Sequence, residues 1–400
     1  MTPTTTTTRR WRRLAPLGLM LSLTLVATAC GDDKKSSDTT TAAVTETTAA
    51  VVETTAAATT ETTAAAATET IAAATETTAA AAATDTTAAA AATPAGGAPK
   101  LGMIYSAEWA DGSWGEAAYK GANELKTAGK VSDIKLQENV PPGAEAERAL
   151  RALAEEGYNP IIAHSFNYGD DVKKVAPDFP KTIFVYAGGF GDVKGNVGDY
   201  DQPFFEASYL SGILAAGVQG KGNVAGAGGF EIPVCYSMFE AFLAGAKEVL
   251  PATTGSFVAV GDWYDVQKAK EAALGQQSAG ASMFIGCGQG PTFGQIEAAN
   301  DSGGVSTGYV GDMSKVGKSV LSSFSWKLDK VFGLMVDDVA AGKADAQYYS
   351  VGLGNGGMDM IISPDWAAKI PADTMKLYEQ RLGEIKAGTF KVPLITKKAA

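Results

Sequence analysis

Histidine is nearly missing from this chain: among 400 residues there is one, His164, and cysteine occurs three times. A metal site assembled from several histidines is therefore excluded, and a histidine-based catalytic triad would have to rest on His164 alone. That residue lies in an apolar run, 160–166, where a hydrogen-bonded core or hinge histidine is expected ahead of a general base. No G-x-S-x-G segment occurs, so serine acyl transfer lacks the elbow that exposes its nucleophile. Positive charge is also in deficit: 33 Lys and Arg stand against 44 Asp and Glu, giving a net charge of −11 and a pI of about 4.8. Such a chain does not follow a phosphate backbone, and no nucleic-acid partner is expected. With no nucleophile and base side by side, neither an enzyme nor a resident cofactor or metal is expected.

What is present begins with Arg9, Arg10, Arg12 and Arg13, an apolar stretch from Leu14 to Val26, and the small residues Ala27-Thr28-Ala29 ahead of Cys30. The stretch falls short of the ~20 residues that cross a bilayer as a helix. Its basic head and small-residue exit are those of a removed secretory signal, read here as residues 1–29. Cys30 is the only cysteine in the first half of the chain and sits at the junction. It is read as a lipidation site, in a box similar to that of bacterial lipoproteins but with Ala27 where Leu is usual. The expected location is the outer face of the cell membrane, held by lipid. The pair Arg9-Arg10 raises the twin-arginine export route beside the general one.

From Cys30 to residue 99 the composition is Thr, Ala and scattered acids, with the unit TETTAA recurring in variations at Thr45, Thr60, Thr75 and Thr84. The acids are spaced almost like a heptad, but few large apolar side chains exist to fill a coiled-coil seam. With so little to bury, the segment is expected to stay disordered. Extended at ~3.1 Å per residue, such a tether reaches at most ~200 Å.

Residues 100–400 form the folded part, long enough for two lobes. Strands are expected at 100–106, about 132–137, 160–166 and 182–188, with helices at 114–128 and 143–157 between them. A second series follows: a strand near 222–230, helix 236–249, strand 256–263, helix 265–279, strand 281–288, helix 292–301 and strand 305–311. Two successive βα series imply two doubly wound, mainly parallel sheets. Ligands of such sheets sit beyond the carboxyl ends of the strands. The segments there are Ser106 to Trp114, Ser165 to Tyr168, Gly188 to Phe190, Phe230 to Pro233, Trp263 to Asp265, Gly286 to Gly290 and Gly311 to Lys315. They are aromatic and glycine-rich with a few polar groups. Cys235 and Cys287 both lie close to predicted strands in an exported domain, where either a disulfide or two buried thiols would fit.

Two phosphate-loop lookalikes fail on inspection. DMSKVGKS at 312–319 has Asp312 where a Walker A loop needs glycine, and its carboxylate would repel phosphate. GLGNGG at 352–357 is followed by the apolar run Met358 to Ile362, which reads as a strand and makes the glycines a hairpin or crossover.

The segments GSWGEAAYKGANEL, IIAHSFNYGDDVKKVAPDFPKTIFVYAGG, EASYLSGILAAGVQGKGNVAGAGGFEIPV, VGDWYDVQKAKEAA and GDMSKVGKSVLSSFSWKLDKVF occur in this order through nearly all of 100–400. Together they resemble the basic membrane protein family of substrate-binding lipoproteins, which includes purine nucleoside receptors serving ABC importers. The resemblance implies a type I periplasmic-binding-protein fold, an α/β architecture of two doubly wound lobes joined by a three-strand hinge. The first lobe would comprise about 100–202 and 318–345, the second about 203–317 and 346–400. It also implies a purine clamped between Trp114 and Trp263, with Asp312 holding ribose hydroxyls. These residue types suit such a ligand, since a flat ring has two faces to stack and a carboxylate accepts from both hydroxyls of a diol. The bland readings are core packing for the two tryptophans and a helix N-cap for Asp312.

The nucleoside-receptor pattern D-x-S-F-N stands here as Asp111-Gly112-Ser113-Trp114-Gly115, so the base-reading asparagine is replaced by Gly115. Glu116 is left to substitute for it, unless the ligand differs. Trp326 occupies a position where many relatives carry lysine. Ser165, Asn167, Tyr168, Phe230 and Gly288 complete the expected contacts, with turn-forming roles as the alternative. The expectation is a monomeric, lipid-anchored receptor that closes on a purine nucleoside, a nucleobase or another small solute and passes it to an ABC permease. The alternative is a surface sensor that presents its ligand to a signalling partner.

Overall fold

The structure is a computed structural model that describes residues 97–201 and 203–397. The expected export signal, Cys30 and the expected tether up to residue 96 lie outside the described residues. From β1 (Lys100–Ile104) the chain runs through α1 (Trp114–Thr127), β2 (Asp133–Gln137), α2 (Ala144–Glu155), β3 (Ile161–Ala163), α3 (Gly169–Val175), β4 (Phe184–Ala187) and β5 (Val197–Asp201). These strands pair in parallel in the order β5-β4-β3-β1-β2. Both faces of this sheet are covered, which is why β1, β3 and β4 read as unbroken apolar runs. Helix α1 buries Gly115, Ala118, Gly121, Ala122 and Leu125, a stripe at helical spacing.

The second series is α4 (Phe204–Gln219), β6 (Asn223–Gly228), α5 (Pro233–Val249), β7 (Gly255–Ala259), α6 (Val266–Ser278), β8 (Ala281–Cys287), α7 (Gln289–Ser302), β9 (Val305–Val310) and β10 (Val320–Trp326). The chain then returns through α8 (Leu328–Ala340), which packs on α1, and β11 (Tyr348–Ser350), which pairs with β5. It ends with β12 (Met358–Ile362), antiparallel to β10, and with α9 (Pro364–Ala367) and α10 (Ala372–Lys386). The second sheet therefore has the order β12-β10-β9-β8-β6-β7. Among the described residues no helix is long and apolar enough to cross a membrane.

The chain passes between the lobes after β5, between β10 and α8, and between β11 and β12. These crossings correct the expected boundaries. Segment 318–326, assigned to the first lobe, carries β10 and pairs in the second sheet. Strand β11, assigned to the second lobe, pairs in the first. The glycines of 352–357 form the turns of the third crossing.

In the second lobe α4 and α5 meet backbone to backbone. A Cβ on Gly212 would strike the carbonyl oxygen of Phe242, and one on Gly245 that of Tyr209. A disulfide between Cys235 and Cys287 (Cα–Cα 5.3 Å) ties the start of α5 to the end of β8. Gly275 in α6, by contrast, has no neighbour within 4 Å of the place a Cβ would take. Gly245→Ala should therefore lower stability by about 1–3 kcal/mol, since the obstacle is backbone. Gly275→Ala should raise it by about 0.5–1 kcal/mol, because alanine restricts the unfolded chain and favours helix. Paired urea denaturation curves check this, and a stabilised Gly245→Ala would contradict the close packing.

Candidate functional site

The first wall of the site is organised by Asp111. Its Oδ2 accepts hydrogen bonds from the Tyr105 hydroxyl (2.8 Å) and the Gly115 amide (2.8 Å), and its Oδ1 from the amides of Ser113 (2.8 Å) and Glu116 (3.1 Å). The first turn of a helix has unsatisfied N–H groups and a positive dipole end, and a carboxylate answers both. The result pins Trp114, the first residue of α1, at the mouth of β1.

His164 supports that tryptophan from below. It is fully buried, its ring stacks on Trp114 (4.7 Å between centroids, 18° between planes), and its Nε2 lies 3.1 Å from the Trp114 carbonyl oxygen. A carbonyl only accepts, so Nε2 carries the proton and Nδ1 accepts from the Tyr200 hydroxyl. Burial pushes His164 down to about 3, against a smaller upward pull from its bond to Trp114. It is a neutral platform, not an acid or base. Trp326, 6% exposed, leans against Trp114 from the other side of the hinge (5.2 Å, 41°) and also contacts Tyr200 and Phe204.

The second wall is Trp263. Gly229 and Gly288 lie under its ring; a Cβ on Gly288, whose φ is +103°, would sit 2.6 Å from Trp263 Cε3. Phe230 meets it edge-on at 5.1 Å. Its Nε1 donates to Asn167 Oδ1 of the first lobe at 3.3 Å. Three more hydrogen bonds cross between the lobes: Ser106 Oγ with the Tyr264 hydroxyl (2.7 Å), Gln289 Nε2 to Asp111 O (2.8 Å) and Ser113 Oγ to Val310 O (3.2 Å).

Between the walls lies a cleft of about 520 Å³, part of it open to solvent. Trp114, Ser165, Trp263 and Gly288 line it, as do Tyr105, Phe166, Ile232, Val234, Tyr264, Cys287, Gln289 and Tyr309. Of the other residues singled out in the sequence, Asn167 and Phe230 act at one remove by holding Trp263. Tyr168 is a core residue: it is fully buried and donates to Val140 O at 2.5 Å. Asp312, Glu116 and Trp326 line a separate polar groove of about 900 Å³ that also includes open solvent. Asp312 caps no helix, because turns join β9 directly to β10; its Oδ1 accepts from the Ser314 amide at 2.9 Å. Hydrogen bonding to that amide and to the Ser314 side chain holds its carboxyl below the usual range. Glu116 pairs with Lys120 on α1. The cross-lobe bonds of Ser113 and Gln289 close the loop at 111–113 between cleft and groove.

Phe166, Ile232, Tyr264 and Gln289 lie in segments that the strand-end rule marks, but nothing in the sequence distinguishes them from loop residues. Tyr105 and Tyr309 lie within strand-like runs, where facing toward a cleft or toward the core leaves the same pattern.

Two α/β lobes, three crossings and an aromatic cleft beyond the strand ends define a solute-binding protein of the type I periplasmic-binding-protein class. The chain belongs to the family of ABC transporter substrate-binding proteins described as PnrA-like, which matches residues 98–387. A purine-binding protein of Brucella abortus is 28% identical over 290 residues, covering 72% of this chain and 81% of its own. A Haloferax volcanii protein provisionally named as the glucose-binding protein of an ABC transporter is 27% identical, covering 66% of this chain and 68% of its own. A solved ABC transporter solute-binding protein from Aeropyrum pernix shares the fold, with a TM-score of 0.61 at 20% identity over 74% of this chain and 94% of its own.

The neutral His164 makes stability depend on pH. The unfolded chain takes up a proton near the ordinary value of 6.5, whereas the folded chain refuses it until about 3. This contribution leaves stability whole above pH 6.5 and erodes it as the pH falls toward 3, by at most about 1.4 kcal/mol per unit. Asp199, pushed up to about 6 chiefly by burial, acts oppositely, favouring the fold as pH drops from 6 toward 3.8. The difference between wild type and His164→Gln cancels Asp199, and it should shrink steadily from pH 7 to pH 4 in thermal melts. A constant difference would mean that His164 titrates at its ordinary value in the folded protein, and burial does not exclude its charge.

Proposed function

We propose that this protein is a lipid-anchored, extracytoplasmic receptor that captures a flat purine between Trp114 and Trp263 and delivers it to an ABC permease. Family membership supports the transport role. The run from Arg9 to Cys30 supports export and lipid attachment. The observation that carries the ligand class is the cleft itself: two indoles from opposite lobes, aromatic neighbours and few polar side chains. Stacking on such rings contributes ~1–3 kcal/mol per base and needs no charge. The purine-binding relative points the same way.

The free base fits this arrangement better than the nucleoside. Asp312, the carboxylate expected to hold ribose hydroxyls, opens into the neighbouring groove, and Trp326 is buried against Trp114. A nucleoside would have to reach past that packing. The lobes would close on the ligand by bending at the three crossings.

A thermal-shift series with adenine, adenosine, glucose and amino acids tests the reading. Adenine should stabilise the protein most, adenosine less, and glucose and amino acids not at all; stabilisation by glucose alone would overturn the purine assignment. Trp114→Ala and Trp263→Ala should each weaken adenine binding about tenfold or more in calorimetric titration. Unchanged affinity in both would remove the two-indole clamp.

A further inference from the structure

Apart from phenols and indoles, the described residues lining the cleft offer two polar side chains, Ser165 and Gln289. The Ser165 hydroxyl is engaged with the Asn167 amide at 3.4 Å. Gln289 is the first residue of α7 and comes from the second lobe. Its Nε2 donates across the lobes to Asp111 O at 2.8 Å. Because that carbonyl can only accept, the orientation of the carboxamide is determined: nitrogen toward Asp111, oxygen at the other end. Oε1 is buried and has no hydrogen-bond partner among the described residues. A buried acceptor left unpaired is costly, and such a group calls for a donor.

We propose that Gln289 reads the ligand. Its Oε1 accepts a hydrogen bond from an N–H on the edge of the heterocycle stacked in the cleft, while its Nε2 ties the closed lobes together at Asp111. One amide thus couples recognition to closure: the bond to Asp111 exists only when the lobes meet. The inference rests on the purine reading and adds to it a residue that distinguishes heterocycles by their donors. Rings of similar size without an N–H at that edge would stack but leave Oε1 unpaired.

Calorimetric titration of the full chain with adenine, 9-methyladenine and unsubstituted purine tests this. The first analogue lacks the ring N–H and the second lacks the exocyclic amine. Wild type should prefer adenine to at least one of them by about tenfold. In Gln289→Met, of similar length but with neither donor nor carbonyl, that preference should collapse to within about twofold, with melting behaviour unchanged. Gln289→Glu keeps an acceptor but cannot donate to Asp111 O, and should weaken all ligands while retaining the preference. If Gln289→Met keeps the preference, or weakens all three ligands equally, Gln289 is structural and the proposal falls while the purine reading stands. Should Gln289→Met not fold, loss of the preference in Gln289→Glu overturns the proposal. Failure of wild type to bind any of the three overturns the purine reading and the proposal together.

Discussion

The carboxylate of Asp111 is the constraint on which the site is built. Four donors converge on its two oxygens, three of them backbone amides around the start of α1. Charge-assisted bonds of this kind are about twice as strong as neutral ones, and here they also meet the positive end of a helix. What they hold in place is a loop that would otherwise be free, and that loop supplies Trp114 on one side and a carbonyl for Gln289 on the other. The indole then rests on His164, whose own ring is fixed by Tyr200 on β5. A line of contacts thus runs from the helix start to the end of β3 and on to β5, and of its three rings it is Trp114 that lines the cleft.

Trp326 divides the interior. Sitting at the end of β10 where the chain leaves the second lobe, it packs at once on Trp114, Tyr200 and Phe204. An aromatic there fills space and carries no charge, so the cleft on one side becomes apolar and the groove holding Asp312, Glu116 and Lys327 becomes a separate polar compartment. A lysine at this position would join the two and bring a cation to whatever lay between them.

The alternation of strands and helices is legible because parallel strands buried on both faces are apolar without interruption, and α1 and α2 keep a clear stripe. Two of the elements that this pattern misses show why. Strand β5 carries Asp199 and Asp201, and aspartate argues against a strand until one sees Asp199 accepting from the amides of Gly189 (2.8 Å) and Gly191 (2.6 Å). Helix α4 is buried on almost every side, so it has no amphipathic period to find. The lobe boundary is hidden for a related reason: β10 and β11 are segments that either sheet could accept, and only their pairing decides. In the site, Trp114 and Trp263 stand out by type. Gln289 does not, because an unpaired oxygen is a property of three-dimensional surroundings, and the sequence position of Asp312 near a strand end does not reveal that it lines the neighbouring groove.

The cross-lobe contacts also set the scale on which a ligand can act. Beside the ring contacts of Trp114 with Tyr309 and Trp326, the polar ones described are four neutral hydrogen bonds, two of them in exposed positions, and each contributes about 0.5–1.5 kcal/mol net at best. Their sum is a few kcal/mol, which the ordering of two lobes about three crossings opposes. A two-state equilibrium balanced within a few kcal/mol is one that stacking on two indoles, at ~1–3 kcal/mol per base, is large enough to move. Charged bridges in the same places would have held the lobes more strongly and made closure less dependent on the ligand. The neutrality of the seam, with hydroxyls, amides and backbone carbonyls meeting across it, is therefore what lets an uncharged flat molecule decide between the open and the closed form.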